Sequence, residues 1–144
     1  SIFTKSGIMV GLGETDEFAH QGKYDQYLQK AHQFDQMLSE LWYYVQTDPF
    51  YKNNTTFIIT TDHGRGSKSS NWSTHGFWVK GSGETWMAMI GNNIINNGEM
   101  KNKDIAYLKQ IASTISLLAD ENFEAEDHTV ARPLAVVKDQ IKNN

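Results

Sequence analysis

Asp62-His63-Gly64 follows directly on the apolar run Thr56-Phe57-Ile58-Ile59-Thr60-Thr61, so two adjacent metal-competent side chains stand where a buried strand should end. In α/β proteins, ligands bind at that end of the strands. A carboxylate and an imidazole side by side can share one divalent ion, and the glycine lets the backbone turn tightly beneath them. The tripeptide also reads as a strand-end Asp capping the next turn beside a surface histidine.

Two further segments carry the same residue types. In Gly13-Glu14-Thr15-Asp16-Glu17-Phe18-Ala19-His20, Asp16 and His20 are four residues apart, a spacing that puts both on one face of a helical turn, where they can chelate a cation from one side. The competing interpretation is an exposed i,i+4 pair at a helix start, with Thr15 as the N-cap. Ser73-Thr74-His75-Gly76 places another His-Gly twelve residues after His63, inside a stretch rich in Gly, Ser and Asn. Loops of that composition, hung on strand ends, commonly carry ligand-binding side chains.

The order Asp-x-x-x-His, Asp-His-Gly, His-Gly, with all three expected on one edge of a sheet, resembles the alkaline phosphatase superfamily. These binuclear metallohydrolases include phosphatases, nucleotide pyrophosphatases, cofactor-independent phosphoglycerate mutases and, more distantly, sulfatases. The resemblance runs from about Gly7 to Gly91. It implies an α/β fold in which a mostly parallel sheet is sandwiched by helices. It also implies that Asp16, His20 and His75 hold one metal while Asp62 and His63 hold a second. The family completes its second metal with an Asp near the start of the fold and a Ser or Thr nucleophile at the head of a helix. Upstream of Asp16 this sequence has fifteen residues, with no Asp, and Ser1, Thr4 and Ser6 lack a strand-to-helix setting. The expectation is therefore the C-terminal portion of an alkaline-phosphatase-like catalytic domain, inactive in isolation, which supplies most of the metal ligands but not the nucleophile.

The activity so implied is metal-dependent hydrolysis or transfer on phosphate esters, with sulfate esters less favoured. Two divalent ions would clamp the attacking and leaving oxygens. Zinc suits a His/Asp ligand set and manganese is the rival. Arg65, beside the metal motif, either clamps a substrate oxygen bidentately or pairs with a surface carboxylate. The alternative from another class is an inactive fragment or degenerate metal-binding module of the same fold.

The elements that must position these residues are legible from periodicity. From Lys23 to about Thr47 apolar residues recur at steps of three and four, through Tyr27, Leu28, Ala31, Phe34, Leu38, Leu41 and Val45, which predicts a long amphipathic helix packed on a sheet. Asp48-Pro49 ends it, and Lys52-Asn53-Asn54 turns into a strand over 55–61. The apolar run 7–12 predicts a preceding strand, so strand, helix and strand would form a right-handed parallel crossover. Further on, 77–79 reads as a short edge strand, 84–91 as a buried strand, and 105–119 as a helix capped by Asp104. Residues 133–137 read as a short closing segment. His32 on the long helix and the Asp127-His128 pair in an acidic loop read as surface residues.

Composition bounds the partners. The 144 residues include 39% hydrophobic and 12% aromatic residues, enough for one domain with a core. A net charge of −4 supplies no basic stripe for nucleic acid, so an anionic ester substrate would be attracted by bound cations. Without cysteine, metal binding falls to His and Asp. No apolar stretch is long enough to span a bilayer. The compartment stays open, with a lean to periplasmic or secreted, and pairing with an N-terminal portion or self-association is expected.

Overall fold

The computed structural model describes residues 5–100, 105–121, 123 and 131–137. The chain divides into two compact units, Met9–Met89 and a second formed by Ser1–Ile8 with Ile90–Asn144. Every candidate ligand named above that is described lies in the first unit.

That unit opens with the short helix α1 (Glu14–His20) and the long helix α2 (Tyr24–Thr47). Gly13, not Thr15, is the N-cap of α1. The helix stops because Gly22 adopts φ +70°, while the Gly22 and Lys23 amides bond to the carbonyls of Ala19 and Phe18. Glycine enters that left-handed conformation without a Cβ penalty, which makes it a natural helix terminator. Ala19 is fully buried and docks α1 on α2. At the far end of α2 the Asp48 carboxylate accepts the amides of Phe50 and Tyr51 at 2.8 and 3.2 Å, which turns the chain out of the helix at Pro49.

The apolar stripe of α2 is only partly covered. Val45 is buried and Tyr27, Phe34 and Leu38 are half-buried, whereas Met37 and Leu41 are exposed. Trp42 meets Phe57 edge-on with centroids 5.7 Å apart, tying α2 to strand β1 (Thr56–Thr60).

β1 pairs with β2 (Met87–Gly91), the strand in which the boundary between the units falls. The pairing is antiparallel: the Thr60 hydroxyl bonds to the Trp86 carbonyl, and the Gly64 amide to that of Ser82. The described residues therefore form an antiparallel pair where the resemblance implied a mostly parallel sheet. Residues 7–12 form no strand, and Ile8 and Met9 are 93% and 97% exposed. An apolar run becomes a strand only when another strand satisfies its backbone groups, and the described residues offer it none, so the parallel crossover is not formed among them. Residues 77–79 are likewise a turn and not an edge strand, closed by a bond from the Val79 amide to the Gly76 carbonyl.

In the second unit a 3₁₀ turn (Leu108–Gln110) runs into α3 (Ile111–Leu118), within the helix expected over 105–119. Asp104 lies outside the described residues. Thr114 is fully buried and accepts the Leu134 amide at 3.0 Å, while the Ser113 hydroxyl donates to the Ala131 carbonyl at 2.7 Å. These two hydroxyls lay residues 131–134 along α3. Val137 bridges antiparallel to Ile94, and both are buried. Among the described residues no helix is long and apolar enough to cross a membrane.

The return of the chain from β1 to β2 is tight at Gly64, where a Cβ would stand 2.2 Å from the carbonyl oxygens of both Gly81 and Glu84. Backbone cannot yield as a side-chain tip can, so Gly64→Ala is expected to destabilise the protein by about 1–3 kcal/mol. Gly83→Ala, where a Cβ meets nothing within 4 Å, should change stability by less than about 0.5 kcal/mol. Urea midpoints of the two variants check this contrast.

Candidate metal centre

Three separate segments deliver side chains to one place. α1 carries Asp16 and His20 on one face, with His20 Nε2 3.4 Å from Asp16 Oδ2. The end of β1 delivers His63, whose Nε2 lies 3.7 Å from Asp16 Oδ1. The following loop brings His75, with Nε2 3.6 Å from the same oxygen and 2.9 Å from His20 Nε2. The rings of His63 and His75 stack at 3.7 Å with an 18° tilt. Asp16, His63 and His75 each present a ligand atom within 4.8 Å of the others.

Asp16, His63 and His75 stand close enough together to share one ion. Ligands about 2.0–2.1 Å from a tetrahedral ion stand roughly 3.3 Å from one another, and His63 and His75 Nε2 lie 3.7 and 3.6 Å from Asp16 Oδ1, while His20 faces the other oxygen. The tautomer of His63 also fits. Its Nδ1 lies 2.9 Å from the Gly64 carbonyl, and since a carbonyl can only accept, Nδ1 carries the proton. In the neutral ring Nε2 then carries the lone pair, on the side of Asp16, the orientation that a metal-ligating histidine takes from its outer partner. The close contact between His20 and His75 needs a positive group between two lone pairs, either one ring proton or a cation.

The loop that carries His75 is held at both ends. Trp72 is met edge-on by Tyr24 and Tyr27 of α2 at 5.2 and 6.0 Å. The Gly66 amide bonds to the Thr74 carbonyl at 3.1 Å, and the Gly76 amide to the Ser82 hydroxyl at 3.0 Å. Gly76 itself has φ +143°, outside the range that L side chains adopt readily. His75 is therefore carried on a braced turn.

The structure places the remaining predicted site residues differently. Asp62 stands at the rim, its side chain 90% exposed, with Oδ1 accepting the His63 amide at 3.0 Å. It does not join the group of Asp16, His63 and His75. The resemblance assigned His63 to a metal with Asp62 and Asp16 to the other; His63 Nε2 lies 3.7 Å from Asp16 Oδ1 and 3.8 Å from Asp62 Oδ1, so it stands between the two carboxylates. Arg65 turns inward. Its guanidinium bonds to the Asp16 carboxylate, to the Asp16 carbonyl at 3.3 Å and to the Trp72 carbonyl at 3.5 Å. His32 is exposed on α2 and enters no ligand-type cluster among the described residues. Asp127 and His128 lie outside the described residues. Two features went unpredicted from the sequence: the Gly64 carbonyl that sets the His63 tautomer and the Tyr24–Tyr27–Trp72 contact that braces the loop. The i,i+3 spacing of the two tyrosines on α2 was the available signal for the second.

The family model described as the metalloenzyme superfamily matches residues 4–77, a span that contains Asp16, His20, Asp62, His63 and His75. No curated protein and no solved structure matches the chain.

Replacing His63 or His75 with Ala is expected to weaken zinc binding by at least about 100-fold, beyond the usual effect of losing an outer partner. Asp62→Asn should leave binding at the Asp16–His63–His75 cluster nearly unchanged. Calorimetric titration of the three variants with zinc checks both statements, and equal losses in all three would place Asp62 inside the cluster.

Proposed function

The chain belongs to the metalloenzyme superfamily, part of the alkaline phosphatase-like superfamily, and on that premise we propose that it supplies the metal centre of a hydrolase or transferase acting on phosphate esters. The observation that carries the proposal is the convergence of Asp16, His63 and His75, with His20 beside them, from three segments of the chain.

The donor set suits zinc first and manganese second, because imidazole nitrogen outnumbers carboxylate oxygen. On this reading one ion would sit in the cluster around Asp16, and Asp62, next to His63, would serve a second. Bound there, such ions act as Lewis acids on an ester oxygen and lower the pKa of a hydroxyl or water. The work of the chain is to preorganise. The Gly64 carbonyl holds His63 in the ligating tautomer, the braced loop keeps His75 stacked on it, and Asp16 contributes the negative charge that draws a cation in. A single carboxylate among three imidazoles leaves a divalent ion with net positive charge. A net charge of −4 over the chain is thereby compatible with a small anionic ester as substrate. Sulfate monoesters are the less favoured choice, since two or three histidines with an Asp suit a transition metal better than a calcium-like ion.

With zinc or manganese supplied, the protein in its full-length form is expected to hydrolyse p-nitrophenyl phosphate faster than p-nitrophenyl sulfate. Chelator should abolish turnover and added metal restore it, while His63→Ala and His75→Ala should fall to the uncatalysed rate. Full turnover in either variant would sink the assignment. Tight metal binding with no turnover of any ester would favour a metal-binding module without catalysis.

A further inference from the structure

We infer that Arg65 is a positioning residue of the metal centre, which holds the Asp16 carboxylate facing His63 and His75, and that it is not a clamp for the substrate anion. The inference rests on the metal-centre reading above.

A guanidinium is a planar fork of five donors with no acceptor. In Arg65 both terminal nitrogens are already engaged: Nη2 with the Asp16 carboxylate and carbonyl, Nη1 with the Trp72 carbonyl. The side chain is only 16% exposed, so little of it faces a ligand arriving from solvent. Two of its three partners are backbone carbonyls, which cannot swing away. One of them belongs to Trp72, itself held by the edges of Tyr24 and Tyr27. The backbone of Arg65 is equally confined, since a Cβ on Gly81 would stand 2.3 Å from the Arg65 carbonyl oxygen. The fork is thus fixed at its root and at its tips.

Asp16, by contrast, sits on a seven-residue helix and is 40% exposed. Left to itself its carboxylate would rotate toward solvent or settle on His20 in the next turn. Oδ1 is the oxygen that Arg65 binds and also the one that faces His63 and His75. A carboxylate oxygen has two acceptor positions, so the guanidinium takes one and leaves the other directed at the two imidazoles. Such outer hydrogen bonds orient metal-ligating carboxylates, and their loss typically costs 10–100-fold in metal affinity. Opposing this is the repulsion between a fixed positive charge and an incoming cation. The Asp16 carboxylate screens part of that repulsion, and the sign of the change in zinc affinity on removing Arg65 reports whether orientation outweighs the rest. Lysine cannot substitute, because one ammonium cannot span the Asp16 carboxylate and the Trp72 carbonyl as a fork does.

The test is zinc titration by calorimetry of the protein and of its Arg65→Met, Arg65→Lys, Asp16→Asn and Arg65→Met/Asp16→Asn variants, with the urea midpoint of each metal-free form as a folding control. Arg65→Met should bind zinc about 10–100-fold more weakly, and Arg65→Lys should recover only part of the loss. In the Asp16→Asn background the Arg65→Met change should cost almost nothing further, because the two residues act as a unit. A merely structural role would instead add to the loss in both backgrounds. Unchanged or tighter zinc binding in Arg65→Met, or wild-type affinity in Arg65→Lys, would overturn the inference. So would a weakening confined to inorganic phosphate binding by the zinc-loaded protein, which would restore Arg65 as an anion clamp. If the unsubstituted protein takes up no zinc or manganese at all, the metal-centre reading itself fails, an outcome distinct from the others.

Discussion

Asp16 is the point on which the rest of this structure converges. It is the single carboxylate in the cluster, and one of its oxygens is faced by the His63 and His75 rings and bonded by the Arg65 guanidinium, while the other faces His20. Asp16 is partly exposed, and on its protected side the carboxylate is stabilised by positive charge or by donors. Here the protein offers three imidazole nitrogens, which are neutral ligands unless protonated, and one permanent cation, Arg65, bonded directly to the carboxylate. On the metal-centre reading, imidazole lone pairs beside a carboxylate would leave the site open to a cation, where a fully paired ion cluster would be closed to one.

The elements around Asp16 serve to hold imidazoles at a separation they would not choose alone. The Nε2 atoms of His20 and His75 are held 2.9 Å apart, and the rings of His63 and His75 lie face to face. Ordering such side chains costs conformational entropy, which is offset by contacts some distance from the site. Trp72 between Tyr24 and Tyr27 fixes the loop against α2. Trp42 on Phe57 fixes α2 against β1. The near-contact of Gly64 with the Gly81 and Glu84 carbonyls then determines how closely the His63 end of β1 approaches the returning chain. Aromatic edges on α2 and a glycine clearance next to His63 thus set the geometry at Asp16.

Much of this was legible in the order of residues. The period of three and four from Tyr24 to Val45 marked α2 nearly to its ends, and Asp48-Pro49 marked its stop. The β-branched and aromatic run before Asp62 marked β1. The ligand types themselves stood out because Asp-x-x-x-His on a helix, Asp-His-Gly after a strand and His-Gly in a polar loop are each chemically sensible alone. Less legible were the partners of strands. Residues 7–12 are as apolar as β1, yet periodicity measures only the tendency to be covered and cannot name what does the covering. The antiparallel return of β2 depends on the length and turns of the loop between His63 and Met87, where glycines at 64, 76 and 81 set the path.

What the sequence by itself determined is the inventory and the local geometry: one helix turn that aligns Asp16 with His20, a strand that ends at His63, and a glycine after each of the two later histidines. Those follow from nearest-neighbour sterics and the 3.6 and 2.0 periods, which need no knowledge of distant residues. Only the tertiary structure decided the grouping. It placed His63 with Asp16 and His75, left Asp62 at the rim, and turned Arg65 from solvent onto a carboxylate forty-nine positions away. Groupings of that kind depend on how α1, β1 and the His75 loop pack, and long-range packing is a property of surfaces meeting in space that no spacing along the chain records.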